Sequence, residues 1–331
     1  MSGAVAVDDG RAMTRLAWFE AGRLHTHALP SRAESGLHYG PCGVDGHPVV
    51  ARYHTEGEWW TVGEVGQAES TGSTTYPLSG PHRAVIHHGL RQSGIEPDLL
   101  DWLVVLGETM ADPPTIEARR HSLARPVRAE HEAEPVSIAE AAIQIIKPPL
   151  AAWADHCLDE DGRVRVSDDV TSIAFVDIGL RATRSWVVEA HTGAFLPKRS
   201  QIKPLGVITA AHGLRCEVER AFAGGLHWPL PEALKCLSSG QSTLVLFGAR
   251  FEAREAIAHG LDALARSVTT MPALADRVVY LGGGAALLAD RLPAASVAPQ
   301  PAEALVRGAL RIANTGRLIR RGQVQAFLSG E

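Results

Sequence analysis

The chain has 331 residues, a mass of 35.3 kDa and a formal net charge of -5 at neutral pH. With 45% apolar and 21% charged residues it can bury a sizeable core, which excludes wholesale disorder and suits one large domain or two of ordinary size. The acidic balance argues against bare nucleic-acid binding, and no apolar run approaches the length of a membrane span. MSGAVAVDDG lacks the basic start and long apolar stretch of a signal peptide. Cys42, Cys157, Cys216 and Cys236 lie far apart without a CxxC pair, so they read as reduced thiols of a cytoplasmic protein.

The first segment reads as a hairpin. Ala4 to Val7 is a small apolar strand, Asp8, Asp9 and Gly10 form a turn, and Thr14 to Glu20 is the second strand, closed by Ala21-Gly22. Residues 25 to 80 alternate short strand-like pieces, such as Glu58 to Val62, with Gly, Pro and Ser. They suggest a small β-rich subdomain, about 22–80. From His82 to Ser93 the period becomes helical, with Gly94 as the cap. Trp102 to Leu106 is a buried strand. Residues 107 to 135 are loop plus a charged helix. Ser137 to Ile146 places Ile138, Ala142, Ile145 and Ile146 at helical spacing, and Pro148-Pro149 is expected to stop that helix.

The polar stretch 158–169 is the expected domain boundary. Beyond it, Ile173 to Val176 is a strand, Asp177-Ile178-Gly179 a turn, and Ser185 to Glu189 another strand. Helical patterns follow near 206–223, 249–268 and 285–292, with a strand at Arg277 to Leu281 and a further helix over Glu303 to Ile312.

The two halves echo each other. AVDDG near the start matches FVDIG in the second half, pairing Asp8 with Asp177 and Gly10 with Gly179 at an offset of 169 residues. Two tight turns would also produce this pattern, since Asp and Gly suit turns. The flanking strands favour two related domains facing one another across a cleft. Glycine turns let backbone amides approach phosphate oxygens, and a strand-end carboxylate can hold the water shell of Mg2+. Asp8 and Asp177 are therefore candidate metal-binding residues. A third element, Gly282-Gly283-Gly284-Ala285 after a strand, removes three successive Cβ atoms, so a base or phosphate could lie against the main chain. It is not GxGxxG, so a dinucleotide fingerprint is not supported.

These elements, in this order, resemble the actin-like ATPases of plasmid segregation, the ParM/StbA family. AVAVDDGRAMTRLAW resembles that family's first phosphate loop, VDIGLRATRSWVV its second and VVYLGGGAALLAD its adenosine motif. AVIHHGLRQSGI is similar to the family's helix after the β subdomain, PLGVITAA to the linking segment after the second phosphate loop, and ALVRGALRIAN to the C-terminal helix. The resemblance implies an α/β, actin-like (ribonuclease-H-type) two-domain fold with a nucleotide cleft. Domain I would span 1–165, completed by a C-terminal helix 310–331, and domain II 166–309. It implies ATP or GTP with Mg2+, held by Asp8, Asp9, Gly10, Arg11, Arg15, Asp177, Gly179, Leu180, Arg181, Gly282, Gly283, Gly284 and Ala285. It also implies self-association into filaments that segregate plasmids through a DNA-bound adaptor, with no direct nucleic-acid or membrane contact.

The chain departs from that family at named positions. Arg15 stands where a lysine is usual. In Asp177-Ile178-Gly179-Leu180-Arg181-Ala182-Thr183-Arg184, the family's second glycine, threonine pair and final aspartate are replaced. In Pro135-Val136-Ser137-Ile138, Val136 stands at the place of the water-positioning glutamate, and valine cannot orient water. Loss of such help typically costs about 10²–10⁴ in rate. Glu108, Glu132, Glu134 and Glu140 are the substitutes within reach in sequence. Arg11, Arg15, Arg181 and Arg184 cluster on the two loops, either as phosphate forks or paired with carboxylates. The rival readings are a degenerate actin-like scaffold with little or no hydrolysis, and a small-molecule kinase of the same superfamily.

Fifteen histidines raise the question of a metal site. His25 and His27 share a strand face without an evident third ligand, and His87-His88 diverge on a helix. Arg317, Arg320 and Arg321 read as cations near a helix C-terminus. No G-x-S-x-G segment is present.

Overall fold

The computed structural model describes residues 3–38, 50–63, 75–222, 227–246, 248–271 and 274–318. Cys42, Arg320, Arg321 and the side chain of Arg317 lie outside the described residues. The chain divides into two compact units, Met1–Arg165 with Leu305–Glu331, and Val166–Ala304.

In the first unit, β1 (Ala4–Asp9), β2 (Met13–Glu20) and β3 (Arg23–Pro30) form an antiparallel meander. β4 (Ala33–Ser35), β5 (Val50–Thr55) and β6 (Glu58–Gly63) start a second sheet. α1 (Gly80–Gln92) follows, opened by Pro81 and closed where Gly94 takes φ +69°. β7 (Trp102–Leu106) lies parallel to β1, and both are buried along continuous apolar runs, as central parallel strands require. α2 (Pro113–Leu123) is capped by Asp112, whose carboxylate accepts from the Thr115 amide at 3.0 Å. β8 (Arg128–Ala129) joins the second sheet beside β5. β9 (Ile143–Ile146) runs parallel to β7, and α3 (Pro148–Cys157) follows. The main sheet has the order β3-β2-β1-β7-β9, and the second β4-β6-β5-β8. One core joins Leu16 and Leu29 of the main sheet, Val85, Ile86 and Leu90 of α1, and Tyr53, Trp60 and Val62 of the second sheet.

The expected helix over Ser137–Ile146 is not formed. A single 3-10 turn at Glu140–Ala142 precedes a strand, because Ile143-Gln144-Ile145-Ile146 is rich in β-branched residues that pair with β7. Pro148 and Pro149 begin α3 instead of stopping a helix, occupying the first-turn positions where a missing N–H costs nothing.

The second unit repeats the plan. β10 (Ser172–Ile178) pairs antiparallel with β11 (Thr183–Glu189), which pairs with β12 (Gln201–Lys203). After them come α4 (Val207–Ala221), α5 (Leu230–Ser239), a hairpin of β13 (Thr243–Leu246) and β14 (Ala249–Glu252), and α6 (Arg254–Thr269). β15 (Arg277–Leu281) lies parallel to β10, giving the order β12-β11-β10-β15, and α7 (Gly283–Leu287) follows. The helical reading of residues 249–252 is corrected to a strand: Leu244, paired with Phe251, buries its side chain against the helical core. In both units an antiparallel meander is extended by a parallel strand placed beside its first strand.

The last helix, α8 (Ala304–Leu318), packs on α3. Arg307 forks onto Asp155 at 3.0 and 2.7 Å, both side chains being almost fully buried. Arg311 Nη1 donates to Leu158 O at 2.9 Å, satisfying a carbonyl at the end of α3. A Cβ on Gly308 would overlap the Ala151 carbonyl. The clash is with backbone, so it cannot be relieved by a rotamer. Gly308→Ala should therefore lower stability by about 3 kcal/mol, the upper end of ordinary overpacking. Gly213 in α4 has nothing within 4 Å of its Cβ position. Gly213→Ala is the control and should be stabilising by roughly 0.5–1 kcal/mol through helix propensity. Urea unfolding of both variants checks this, and equal effects would refute the packing argument.

α1 buries three histidines. Burial holds His87 down to about 3 and His88 down to about 4, and it lowers His82 as well. His88 Nδ1 lies 3.0 Å from Tyr53 Oη, whereas neither nitrogen of His87 has a hydrogen-bond partner among the described residues. The folded chain keeps these rings neutral, and the unfolded chain protonates them near pH 6.5. Stability is thus full above that value and falls as pH drops below it. Between pH 7.5 and 5.5, His87 and His88 should each remove about 1.3 kcal/mol. His87→Leu should reduce the pH difference in urea-unfolding free energy by that amount. An unchanged difference would show that His87 is not buried as a neutral ring.

Candidate functional site

Two hairpins carry the sequence-predicted loop residues, one in each unit. Asp8 and Asp9 belong to β1, and Asp177 and Ile178 to β10, so both strands run further than the sequence reading set them. The turns are therefore Gly10–Ala12 and Gly179–Ala182. Their registers match: Asp8 lies opposite Arg15, and Asp177 opposite Arg184. Arg15 Nη1 is 4.0 Å from Asp8 Oδ2, and Arg184 Nη1 is 3.5 Å from Asp177 Oδ2. A Cβ on Gly10 would sit 2.9 Å from Met13 O, and one on Gly179 2.9 Å from Ala182 O, so the same close approach excludes a side chain in both turns. Arg11 and Arg181 are exposed at the turns, and Leu180 is half-buried. Each hairpin thus presents one carboxylate, two guanidinium groups and a turn without a side chain at its glycine.

Asp9 points away from Asp8, as successive strand residues must. His82 Nε2–H donates to Asp9 Oδ2 at 2.6 Å, and Arg119 pairs with the same oxygen. Burial alone would raise the Asp9 carboxyl, but the Arg119 charge and the His82 hydrogen bond outweigh it and hold Asp9 ionised, well below the usual carboxylate range. The Tyr76 ring meets the His82 ring edge-on at 5.3 Å. Burial and the Asp9 charge together push the Tyr76 hydroxyl up. His82 Nδ1 and Tyr76 Oη have no hydrogen-bond partner among the described residues. Asp9, counted in the sequence among the phosphate-loop residues, therefore has its carboxylate committed to α1 and α2. His82, Arg119 and Tyr76 were not expected. His82 and Arg119 stand 73 and 110 residues from Asp9, and no spacing pattern signals them or Tyr76.

The second hairpin is held from behind. The amides of Val207 and Ile208, at the start of α4, donate to Gly179 O at 3.1 Å and Leu180 O at 2.9 Å. Thr183 Oγ1 donates to Leu205 O at 2.6 Å. The free amides of this helix end are thereby used by the loop's carbonyls. The glycine triad meets the same strand end. Gly282 has φ +89°, and a Cβ on it would overlap Asp177 Oδ1; a Cβ on Gly284 would overlap Ile178. Gly283 is exposed and Ala285 buried. Gly282 and Gly284 are thus required by packing on β10, and Gly283 is the member of the triad that offers bare main chain to solvent.

The candidate water-positioning groups are placed as follows. Val136 exchanges backbone hydrogen bonds with Val127, at 2.9 Å each way. Glu132 accepts from the Ala129 amide at 3.0 Å and pairs with Arg91 at 2.5 Å. Glu140 lies 3.7 Å from His121, and Glu108 and Glu134 are exposed. Among the described residues no group of three His, Cys, Asp or Glu could hold a metal ion. His25 stacks on Trp18, and His27 Nε2 lies 3.0 Å from Gln92 Oε1. Taken by itself, each hairpin's donor set fits a metal-bound phosphate group: its carboxylate suits the water shell of a hydrated cation, and its two arginines suit phosphate oxygens.

No family model matches the sequence, and no curated protein matches it. Solved structures do. The chain is similar to Ta0583, an archaeal actin homolog, in its complex with ADP, at 15% identity over 96% of this chain and 99% of that one, with a TM-score of 0.70. It is similar to the ParM of a 15-stranded filament from Clostridium botulinum, at 13% identity over 95% and 99% of the two chains and a TM-score of 0.73. Bacillus thuringiensis ParM with ATP aligns at 14% identity over 96% and 99%, with a TM-score of 0.61. At such identities the shared property is the architecture. The chain has the actin-like fold, with the α/β plan of ParM and the archaeal actin homologs in both of its units.

Proposed function

We propose that this chain is a nucleotide-binding protein that polymerises into filaments, of the kind that segregates plasmids through a DNA-bound adaptor in the cytoplasm. The observation that supports it most is the recurrence of one hairpin, with Asp, Gly and Arg in the same register, in both units of an actin-like fold. The nucleotide is ATP or GTP. Asp8 and Asp177 are the residues to hold the water shell of Mg2+, which when bound neutralises part of the phosphate charge. The backbone at Gly10 and Gly179 and the guanidinium groups of Arg11, Arg15 and Arg181 are the donors for phosphate oxygens, with Leu180 beside them. The bare main chain at Gly283, flanked by Gly282, Gly284 and Ala285, is the surface for the base. Similar solved proteins include a ParM filament, an ADP complex and an ATP complex, and that likeness lends support to self-association and to the ligand.

A second reading keeps the fold and the filament but removes turnover. Val136, committed to its bridge with Val127, has no group that can orient water, and Glu132 is held by Arg91 and the Ala129 amide. Binding and chemistry depend on different residues, so one can persist without the other.

At tens of micromolar protein (an order-of-magnitude choice, about the range in which weak interfaces associate), sedimentation and negative-stain microscopy should show filaments when ATP or GTP is present. A monomer under every nucleotide condition would overturn the proposal. Steady-state phosphate release at saturating ATP should be well below the ~1 s⁻¹ of ordinary enzymes. A rate at or above that value that collapses on replacing Glu108, Glu132, Glu134 or Glu140 would refute slow turnover and name the water-positioning group.

A further inference from the structure

We infer that Arg184 is a phosphate-binding residue built into the second hairpin, and that it lets this chain hold a nucleoside di- or triphosphate with little dependence on a divalent cation. The inference rests on the nucleotide-binding reading above and decides between the two roles, phosphate fork or carboxylate partner, that the sequence leaves to Arg184.

Three observations carry it. First, Arg184 stands directly across from Asp177, and its Nη1 lies 3.5 Å from Oδ2. It also lies 4.0 Å from the place where a Cβ of Gly179 would be, so the guanidinium sits over the bare turn glycine. Secondly, Asp177 Oδ1 faces the Cα of Gly282, where a Cβ would overlap it, which leaves Oδ2 as the oxygen turned towards Arg184. The side chain of Asp177 is 12% exposed and that of Arg184 38%, so the guanidinium is the more accessible member of the pair to an incoming ligand. Thirdly, the charge is unbalanced. Asp177 with Arg181 and Arg184 makes one negative and two positive charges on the second hairpin, whereas the first sets Asp8 and Asp9 against Arg11 and Arg15. A local positive excess on the second hairpin of a chain with net charge -5 suits a compact polyanion.

The ligand class follows from the donors. A guanidinium is a planar fork that matches two oxygens of a phosphate and stays charged at every working pH. An accessible fork beside a bare glycine turn supplies in fixed form the positive charge that a hydrated metal ion would otherwise bring. Without the metal the phosphate chain is more negative, so the contribution of Arg184 is largest there.

Calorimetric titration of ADP and ATP into the full chain, in Mg2+ and in EDTA, tests this. Wild-type Kd should differ less than about ten-fold between the two media. Arg184→Gln should weaken binding about ten-fold or more in EDTA, the scale of one charge-assisted hydrogen bond, and about three-fold or less in Mg2+. Arg184→Lys keeps the counter-charge of Asp177 and should fold normally. It should show the same medium-dependent loss at smaller size, and it carries the test if Arg184→Gln unfolds. An equal loss in both media would mark Arg184 as only the structural partner of Asp177, and no loss in EDTA would remove it from the site; either overturns the inference. If wild type binds neither nucleotide in either medium, the underlying nucleotide-binding reading fails instead.

Discussion

The carboxylate of Asp177 lies against a backbone that has no room for a side chain, and much of the second unit depends on that contact. Gly282 must be glycine twice over, for its positive φ and for the oxygen that occupies its Cβ space. The parallel pair β10–β15 is pinned there at one end. At the other end Asp276 Oδ2 accepts from the Thr171 hydroxyl at 2.7 Å and from the amides of Ser172 and Thr171, both at 2.9 Å, and these bonds hold its carboxyl down to about 2. With both ends fixed, the position of Asp177, the register of β11 and the facing of Arg184 follow from the ladder. The turn beyond is then held by two amides of α4.

The first unit reaches a similar hairpin by other means. Its strand end is anchored from beneath by charge, through Asp9, His82 and Arg119. A buried set of ionised groups is a weak source of stability, because desolvation offsets most of the attraction. What it supplies is orientation: two partners converge on one oxygen, and the neighbouring Asp8 is turned to the opposite face. Arg83 plays a related part nearby. It is fully buried and held down to about 10 by that burial, and it donates to Ser122 Oγ at 2.7 Å and Leu78 O at 3.1 Å while pairing with Glu56. α1 is thereby joined to α2 and to the β5–β6 turn.

How much of this was legible in the sequence depended on whether the signal was local. β7 and β15 were read residue for residue, because each is a continuous apolar or β-branched run bounded by polar residues or glycine. α1 was legible from its period and from Gly94. β9 was missed because Ile138, Ala142 and Ile145 satisfy a helical spacing as well as Ile143–Ile146 satisfies a strand, and only the pairing with β7 decides. The sequence left the arginines two roles, phosphate forks or partners of carboxylates; the strand register sets Arg15 opposite Asp8 and Arg184 opposite Asp177, which local spacing did not signal. The Asp9 cluster was not legible at all. Its members come from a strand and two helices far apart in the chain, and a search for histidine spacings suited to metals passes over an imidazole whose partner is a single carboxylate.

The overlap that a side chain on Gly308 would create with Ala151 has a consequence for how the polypeptide matures. α3 ends at Cys157, and the helix that packs on it begins at Ala304, with the whole second unit encoded between them. A ribosome releases the second unit complete before the helix carrying Gly308, Arg307 and Arg311 emerges. Until then Asp155, almost fully buried in the finished protein, faces water without its Arg307 partner. The contact between α3 and α8 is therefore one of long sequence separation, the slow kind of closure, and it can form only after every residue of the second unit has been made.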